Sequence, residues 1–230
     1  MISNKLVILH EDNHLLVVVK PAGLLTQGDG TGHQTLVDLA KDHIRRKYEK
    51  PGNIYLGLVH RLDRPVSGVM VLARTSKAAA RLSQQFRDET VRKQYLAVVH
   101  GCPDRGDGEL IHYMGQRGDR ERKTPIADSE FPGSREARLK WRVIDADFIR
   151  TVMVVEPVTG RRHQIRAQLA AMGHPIIGDR KYGSEQALLH REIALHAWRV
   201  GFDHPVGGVP HTFTAPPPRQ DPWPRGLDPV

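Results

Sequence analysis

The stretch Gly57-Leu-Val-His-Arg-Leu-Asp-Arg-Pro-Val-Ser-Gly-Val-Met-Val-Leu72 joins two apolar, β-leaning segments through a short charged turn. After Ser67 and Gly68, residues 69–73 are an unbroken apolar run that reads as a buried strand. Asp63 lies in the turn between Arg61 and Arg64. Neighbouring cations favour its ionised form. A carboxylate at a strand end beside a turn is both held and accessible, as a nucleophile or a proton acceptor must be. An ordinary structural Arg–Asp pair would use the same residues, so this stretch alone leaves both readings open.

Upstream, residues 5–10 and 15–20 read as two strands joined by the polar turn Glu11-Asp-Asn13. Lys20-Pro-Ala-Gly23 breaks the second strand. Gln27-Gly-Asp-Gly-Thr-Gly32 lacks the Lys-Ser/Thr ending of a phosphate-binding loop and reads as a plain loop. Thr35 and Asp38 form a capping box that opens a helix with Val37, Ala40, Ile44 and Tyr48 as its apolar stripe. Lys41, Arg45, Arg46 and Lys47 lie mostly off that stripe, as a solvated face or one that meets RNA.

Downstream, Ser76 caps a second helix with Ala79, Leu82 and Phe86 inward, and residues 94–100 form a strand carrying Tyr95. Residues 101–135 are polar and glycine-rich, with Arg117, Arg120, Arg122 and Lys123 close together. They read as an excursion, a hairpin or loop suited to touching a substrate backbone. Strands resume at 137–145 and 149–155. A helix over 163–172 has Ile165, Leu169 and Met172 on one stripe and Gly173 as its stop. Residues 193–202 and 209–215 return to strand character. Strands and helices follow no regular βαβ alternation, which predicts an α+β fold: a mixed or antiparallel sheet with flanking helices. No repeat or composition shift divides residues 1–216, which are expected to form one catalytic domain. Residues 217–230 are expected to be a proline-rich, extended tail.

Composition narrows the partners. With 39% hydrophobic residues in 230, the chain can bury a proper core. It contains no apolar run long enough to span a membrane and no signal-peptide start. Cys102 is the single cysteine, which rules out an internal disulfide or a cysteine-built zinc site and fits a reducing cytoplasm. Lys and Arg outnumber Asp and Glu by 34 to 26, a formal charge of +8 that favours a polyanionic partner. Aromatic residues are only 6%, too few for a broad base-stacking platform.

Three further segments carry polar residues worth bringing together with Asp63. Lys93-Gln-Tyr-Leu96 leads into a strand on which Tyr95 presents a ring and a hydroxyl. Gly160-Arg-Arg-His-Gln-Ile-Arg166 sets four basic side chains at a helix start, where cations oppose the helix dipole, so an anion or carboxylate nearby would account for them. Gly173-His-Pro-Ile-Ile-Gly-Asp-Arg-Lys-Tyr-Gly183 is turn-rich, and its Asp179 reads as a turn-fixing residue. His60, His163, His174 and His196 lack metal-ligand spacing.

Taken in order, His60-Arg-Leu-Asp-Arg-Pro-Val-Ser-Gly68, Lys93-Gln-Tyr-Leu96, Gly160-to-Arg166 with Gly173-to-Asp179, and Leu195-His-Ala197 resemble the RluA family of RNA pseudouridine synthases, from about residue 6 to 217. The family usually has Thr where this chain has Val66. The resemblance implies the pseudouridine synthase catalytic fold and an isomerase that detaches uracil from ribose C1′, rotates it and rejoins it through C5. It implies no metal, nucleotide or redox cofactor. Asp63 would be the catalytic aspartate, by addition to C1′ or by removal of a C2′ proton. Tyr95 would stack on the base, and Arg166 would pair with Asp63. Arg61 would fill the space left by the flipped nucleotide, and Leu195 would line the uracil pocket. His60, Arg161, Arg162 and His163 would contribute to RNA or base contacts. The expected partner is RNA, ribosomal or transfer, bound by a monomer in the cytoplasm with no membrane association. The chain opens in catalytic-domain sequence, so no S4-type RNA-binding domain is expected, and target choice would rest on the excursion and the basic helix. A non-catalytic RNA-binding factor would share the charge without needing Asp63, Tyr95 and Arg166 together. A sugar hydrolase would ordinarily need a second carboxylate or a metal cluster.

Overall fold

In the computed structural model, which describes residues 6–115, 123–224 and 227, the apolar runs around the charged turn become neighbouring strands. Leu15–Lys20 (β2) and Ser67–Ala73 (β4) pair antiparallel, with Leu15 opposite Ala73 and Lys20 opposite Gly68. Val7–Glu11 (β1) adds to the other edge of β2, and the short Gly57–Leu58 (β3) pairs with the end of β4. The chain divides into two compact units, residues 1–92 with 197–216 and residues 93–196 with 217–230.

The first unit has its core on one face of β2 and β4. Leu15, Val17, Val69, Val71 and Ala73 alternate inward and meet Ala78 and Leu82 of the helix Ser76–Arg87 (α2). Val200 and Phe202 of Leu195–Asp203 (β10) and Phe213 of Pro210–Thr214 (β11) complete it. Leu16, Val18, Met70 and Leu72 are buried as well, so both faces of these strands are covered. Each such side chain contributes about 1.5–3 kcal/mol by leaving water. The helix Leu36–Lys47 (α1) opens with the expected capping box, Thr35 and Asp38 bonding reciprocally. Its buried stripe is Leu36, Leu39, Ala40 and Ile44, while Tyr48 of the expected stripe is exposed under the cations of Lys47, Lys50 and Arg74. α2 is capped by Thr75, whose hydroxyl accepts from the Ala78 N–H, not by the expected Ser76.

The second unit orders its strands β5-β9-β8-β6-β7, all antiparallel: Arg92–His100, Arg150–Pro157, Arg135–Ala146, Asp107–Met114 and Ile126–Ala127. The excursion is therefore in part a sheet member. β6 pairs with β8 from Asp107 opposite Arg142 to Met114 opposite Arg135. Its polar sequence reflects half-buried alternation on a strand near the sheet edge. Arg117, Arg120 and Arg122 lie outside the described residues. The helix Gln164–Ala171 (α3) is buried on nearly every side, and Gln168 ties it to the sheet by donating to the carbonyls of Leu110 and Ala137. Residues 217–224 are packed, not extended. Trp223 is buried with its ring edge-on to His196, and Arg150 donates to Asp221 and to the Pro222 carbonyl.

Candidate active site

Asp63 sits on a loop whose backbone is held from several directions. Leu62 and Val66 are buried anchors on either side of it. The Leu62 carbonyl accepts from the Thr26 hydroxyl at 2.8 Å, and the Asp63 carbonyl accepts from the Val66 N–H at 3.1 Å. The Arg64 carbonyl accepts from the Gly23 N–H at 2.8 Å and from Lys20 Nζ at 3.2 Å. Three successive carbonyls around the carboxylate are thus each claimed by a donor. Lys20 is fully buried at the end of β2, its ammonium also donating to the carbonyls of Pro21 and Leu24. Such burial of a cation is tolerable only with this many acceptors.

Turn closure at Val66 uses a backbone N–H that any residue but proline supplies, so it does not depend on the side chain at this position. Gly68, the second residue of β4, has φ +124°, and a Cβ there would fall 2.2 Å from the Ala197 carbonyl oxygen, so only glycine fits. Arg61 is exposed beside the loop. His60 is a brace: its Nε2 accepts from the Val71 N–H at 2.9 Å and its ring stacks on Phe86 at 4.9 Å.

In the second unit, Tyr95 is half-buried on β5 opposite Val155, and Leu195 is buried at the first position of β10. Arg166 is buried on α3 and makes a two-pronged ion pair with Asp179, Nε to Oδ2 at 2.6 Å and Nη2 to Oδ1 at 2.9 Å. The basic run before α3 is dispersed. Arg161 donates to the Glu136 carbonyl, Arg162 is exposed, and His163 takes a left-handed conformation with Nδ1 bonded to the Tyr182 hydroxyl. Gln164 starts the helix by accepting from the Arg161 N–H and the Thr159 hydroxyl. Among the described residues no three His, Cys, Asp or Glu are grouped to hold a metal ion.

The supporting roles of Lys20 and Thr26 went unmarked in the sequence, and Asp179 was marked for its turn but not as a partner of Arg166.

A family model described as RNA pseudouridylate synthase matches residues 14–171. The dual-specificity RNA pseudouridine synthase RluA of Salmonella typhimurium is 37% identical over 215 residues, covering 92% of this chain and 93% of that one. This chain belongs to the RluA family of RNA pseudouridine synthases. The ribosomal large subunit pseudouridine synthase D of Nitrosomonas europaea is 33% identical over 210 residues, 87% of this chain and 59% of that relative. The solved human RNA pseudouridylate synthase domain containing 4 superposes with a TM-score of 0.76 at 25% identity, over 93% of this chain and 89% of that one. The family's reaction is an isomerisation of uridine in RNA to pseudouridine, and the α+β fold with its flanking helices is the family's fold. Among the described residues no helix is long and apolar enough to cross a membrane.

Proposed function

We propose that this RluA-family enzyme isomerises uridines in ribosomal or transfer RNA, with Asp63 as the catalytic carboxylate. In the net reaction the C1′–N1 bond breaks, a C1′–C5 bond forms, the C5 proton is lost and N1 gains one. Tyr95 stacks on the extruded base, Arg166 supplies the counter-charge to Asp63, Leu195 lines the uracil pocket, and Arg61 occupies the gap left in the RNA. Extrusion costs a few kcal/mol, which stacking and phosphate contacts offset, and bases in single-stranded loops cost least. His60 serves instead as a support for the loop, since its Nε2 is already an acceptor within the fold.

The observation that carries this reading is the loop itself. A carboxylate whose flanking carbonyls at 62, 63 and 64 are all bonded is preorganised to act without rearrangement. The test is release of tritium from RNA labelled at uridine C5, with the modified position then mapped. The wild type is expected to release label from intact RNA. Asp63→Asn is expected to release none while binding the same RNA within about twofold, because one nearly isosteric change removes the reacting group and little else. Label release by Asp63→Asn at the wild-type rate would overturn the assignment.

A further inference from the structure

The segment Gly173-to-Gly183 is not used by the reading above, yet it holds Asp179, a carboxylate that is almost fully buried. Asp179 is 1% exposed and Arg166 7%, measured on their side chains. The Asp179 N–H donates to the Ile176 carbonyl, and its own carbonyl accepts from the N–H groups of Tyr182 and Ser184. Gly178 precedes it at φ +89°, where a Cβ would fall 2.6 Å from the Glu192 carbonyl oxygen. The carboxylate is therefore mounted on a turn with little freedom to shift. Its two oxygens take the Nε–Nη2 edge of Arg166, which fixes both the plane of the guanidinium and the direction of Nη1. The Tyr182 ring lies 5.1 Å from Cζ of the same guanidinium, and the Tyr182 hydroxyl is itself held by the Thr124 N–H and His163 Nδ1.

A buried ion pair is a weak device for stability, since a packed apolar pair of similar volume does as well or better. A fork on a rigid turn, backed by an aromatic ring held at its own hydroxyl, is an effective device for aiming. We infer that Asp179 is a positioning residue for pseudouridine formation, acting through Arg166 by fixing the orientation of its guanidinium. The inference rests on the reading that Arg166 serves the Asp63 chemistry. It assigns Asp179 a part in turnover beyond the turn-fixing its sequence suggests.

Single-turnover tritium release, RNA binding and thermal melting are measured for wild type, Asp179→Asn, Asp179→Glu, Arg166→Lys and the double variants. Asp179→Asn is nearly isosteric but turns an amide donor toward a guanidinium donor. It is expected to lower the rate roughly 10–100-fold, as a misaligned catalytic group does, with RNA binding changed less than about twofold. Asp179→Glu keeps the carboxylate but overfills a fully packed site. It is expected to melt lower than Asp179→Asn and yet retain more activity. That inversion would not arise from a purely structural role, in which activity follows the melting temperature. In the Arg166→Lys background, where the fork cannot form, either Asp179 change is expected to have little further effect on the rate. Should Asp179→Asn not fold, Asp179→Glu alone and with Arg166→Lys completes the cycle. The inference is overturned if activity ranks with melting temperature, or if the Asp179 changes act in full on top of Arg166→Lys. The function proposed for Asp63 fails separately, through label release by Asp63→Asn.

Discussion

The residue that says most about how this site is held is Lys20, not the carboxylate it supports. Its ammonium donates to the carbonyls of Pro21, Leu24 and Arg64, and the last of these belongs to the residue following Asp63. A charged hydrogen bond contributes about 1.5–3 kcal/mol, and a buried acceptor that loses its donor costs a comparable amount. Arg64 keeps a second donor in the Gly23 N–H, but Lys20 Nζ is the donor to the Pro21 and Leu24 carbonyls. Lys20→Met is therefore expected to destabilise the first unit by about 3 kcal/mol, read as a lower urea midpoint, and to speed amide exchange at Val66. An unchanged midpoint together with unchanged exchange would show that the lysine does not pin the loop. The sequence could mark Asp63, because charged residues between apolar strands stand out. It could not mark Lys20, because a lysine at a strand end is ordinarily solvated and only the fold buries it.

At the scale of elements, local signals were legible where the partner lies within a few residues. The Thr35–Asp38 capping box and the Gly173 stop of α3 both form as their sequences suggest. Apart from the cap of α2, which is Thr75 and not its neighbour Ser76, what failed depends on partners far along the chain. The α1 stripe is rotated toward Leu36 and Leu39, and β6 belongs to the sheet because β8, some thirty positions away, pairs with it. Glu11, the last residue of β1, shows how such a distant joint works. Its carboxylate accepts from His43 and Lys47 of α1 at 2.9 and 2.8 Å and from Arg74 at 3.3 Å. Burial pushes its pKa up, but hydrogen bonds from Lys47, His43 and Tyr48 outweigh that and bring it from 4.5 down to about 2. A carboxyl depressed by folding stabilises the native state above its unfolded pKa, and that contribution fades as pH falls from 4.5 through about 2. Lys47 is half exposed, so solvent screens much of this contribution. Glu11→Gln should accordingly melt below the wild type at pH 7 and converge with it as pH approaches 2–3. A gap that stays constant over that range would show that packing, not charge, makes the joint.

At the scale of the whole molecule, the two units have no counterpart in composition, because both draw on the same mixture of apolar strands and basic turns. Within the strands the division falls in β5 and β10, between Arg92 and Lys93, just ahead of the strand expected over 94–100, and between His196 and Ala197, inside the uninterrupted strand expected over 193–202. The charge excess, by contrast, is fully legible and makes a quantitative demand. A chain carrying +8 that acts on RNA should bind it with a logarithmic affinity that falls linearly in the logarithm of salt concentration. Each phosphate neutralised on single-stranded RNA contributes about 0.7 to that slope. Arg117, Arg120 and Arg122 supply three positive charges within six residues of the polar excursion. If each meets a phosphate, replacing all three with Gln should weaken binding at low salt and make the slope shallower by about 2. The same variant should keep its single-turnover rate at saturating RNA, because charges that only raise encounter and affinity leave the bound-state chemistry alone. A wild-type slope in the triple variant would place the RNA path elsewhere on the surface. A lost rate at saturation would instead give these arginines a part in presenting the uridine to Asp63.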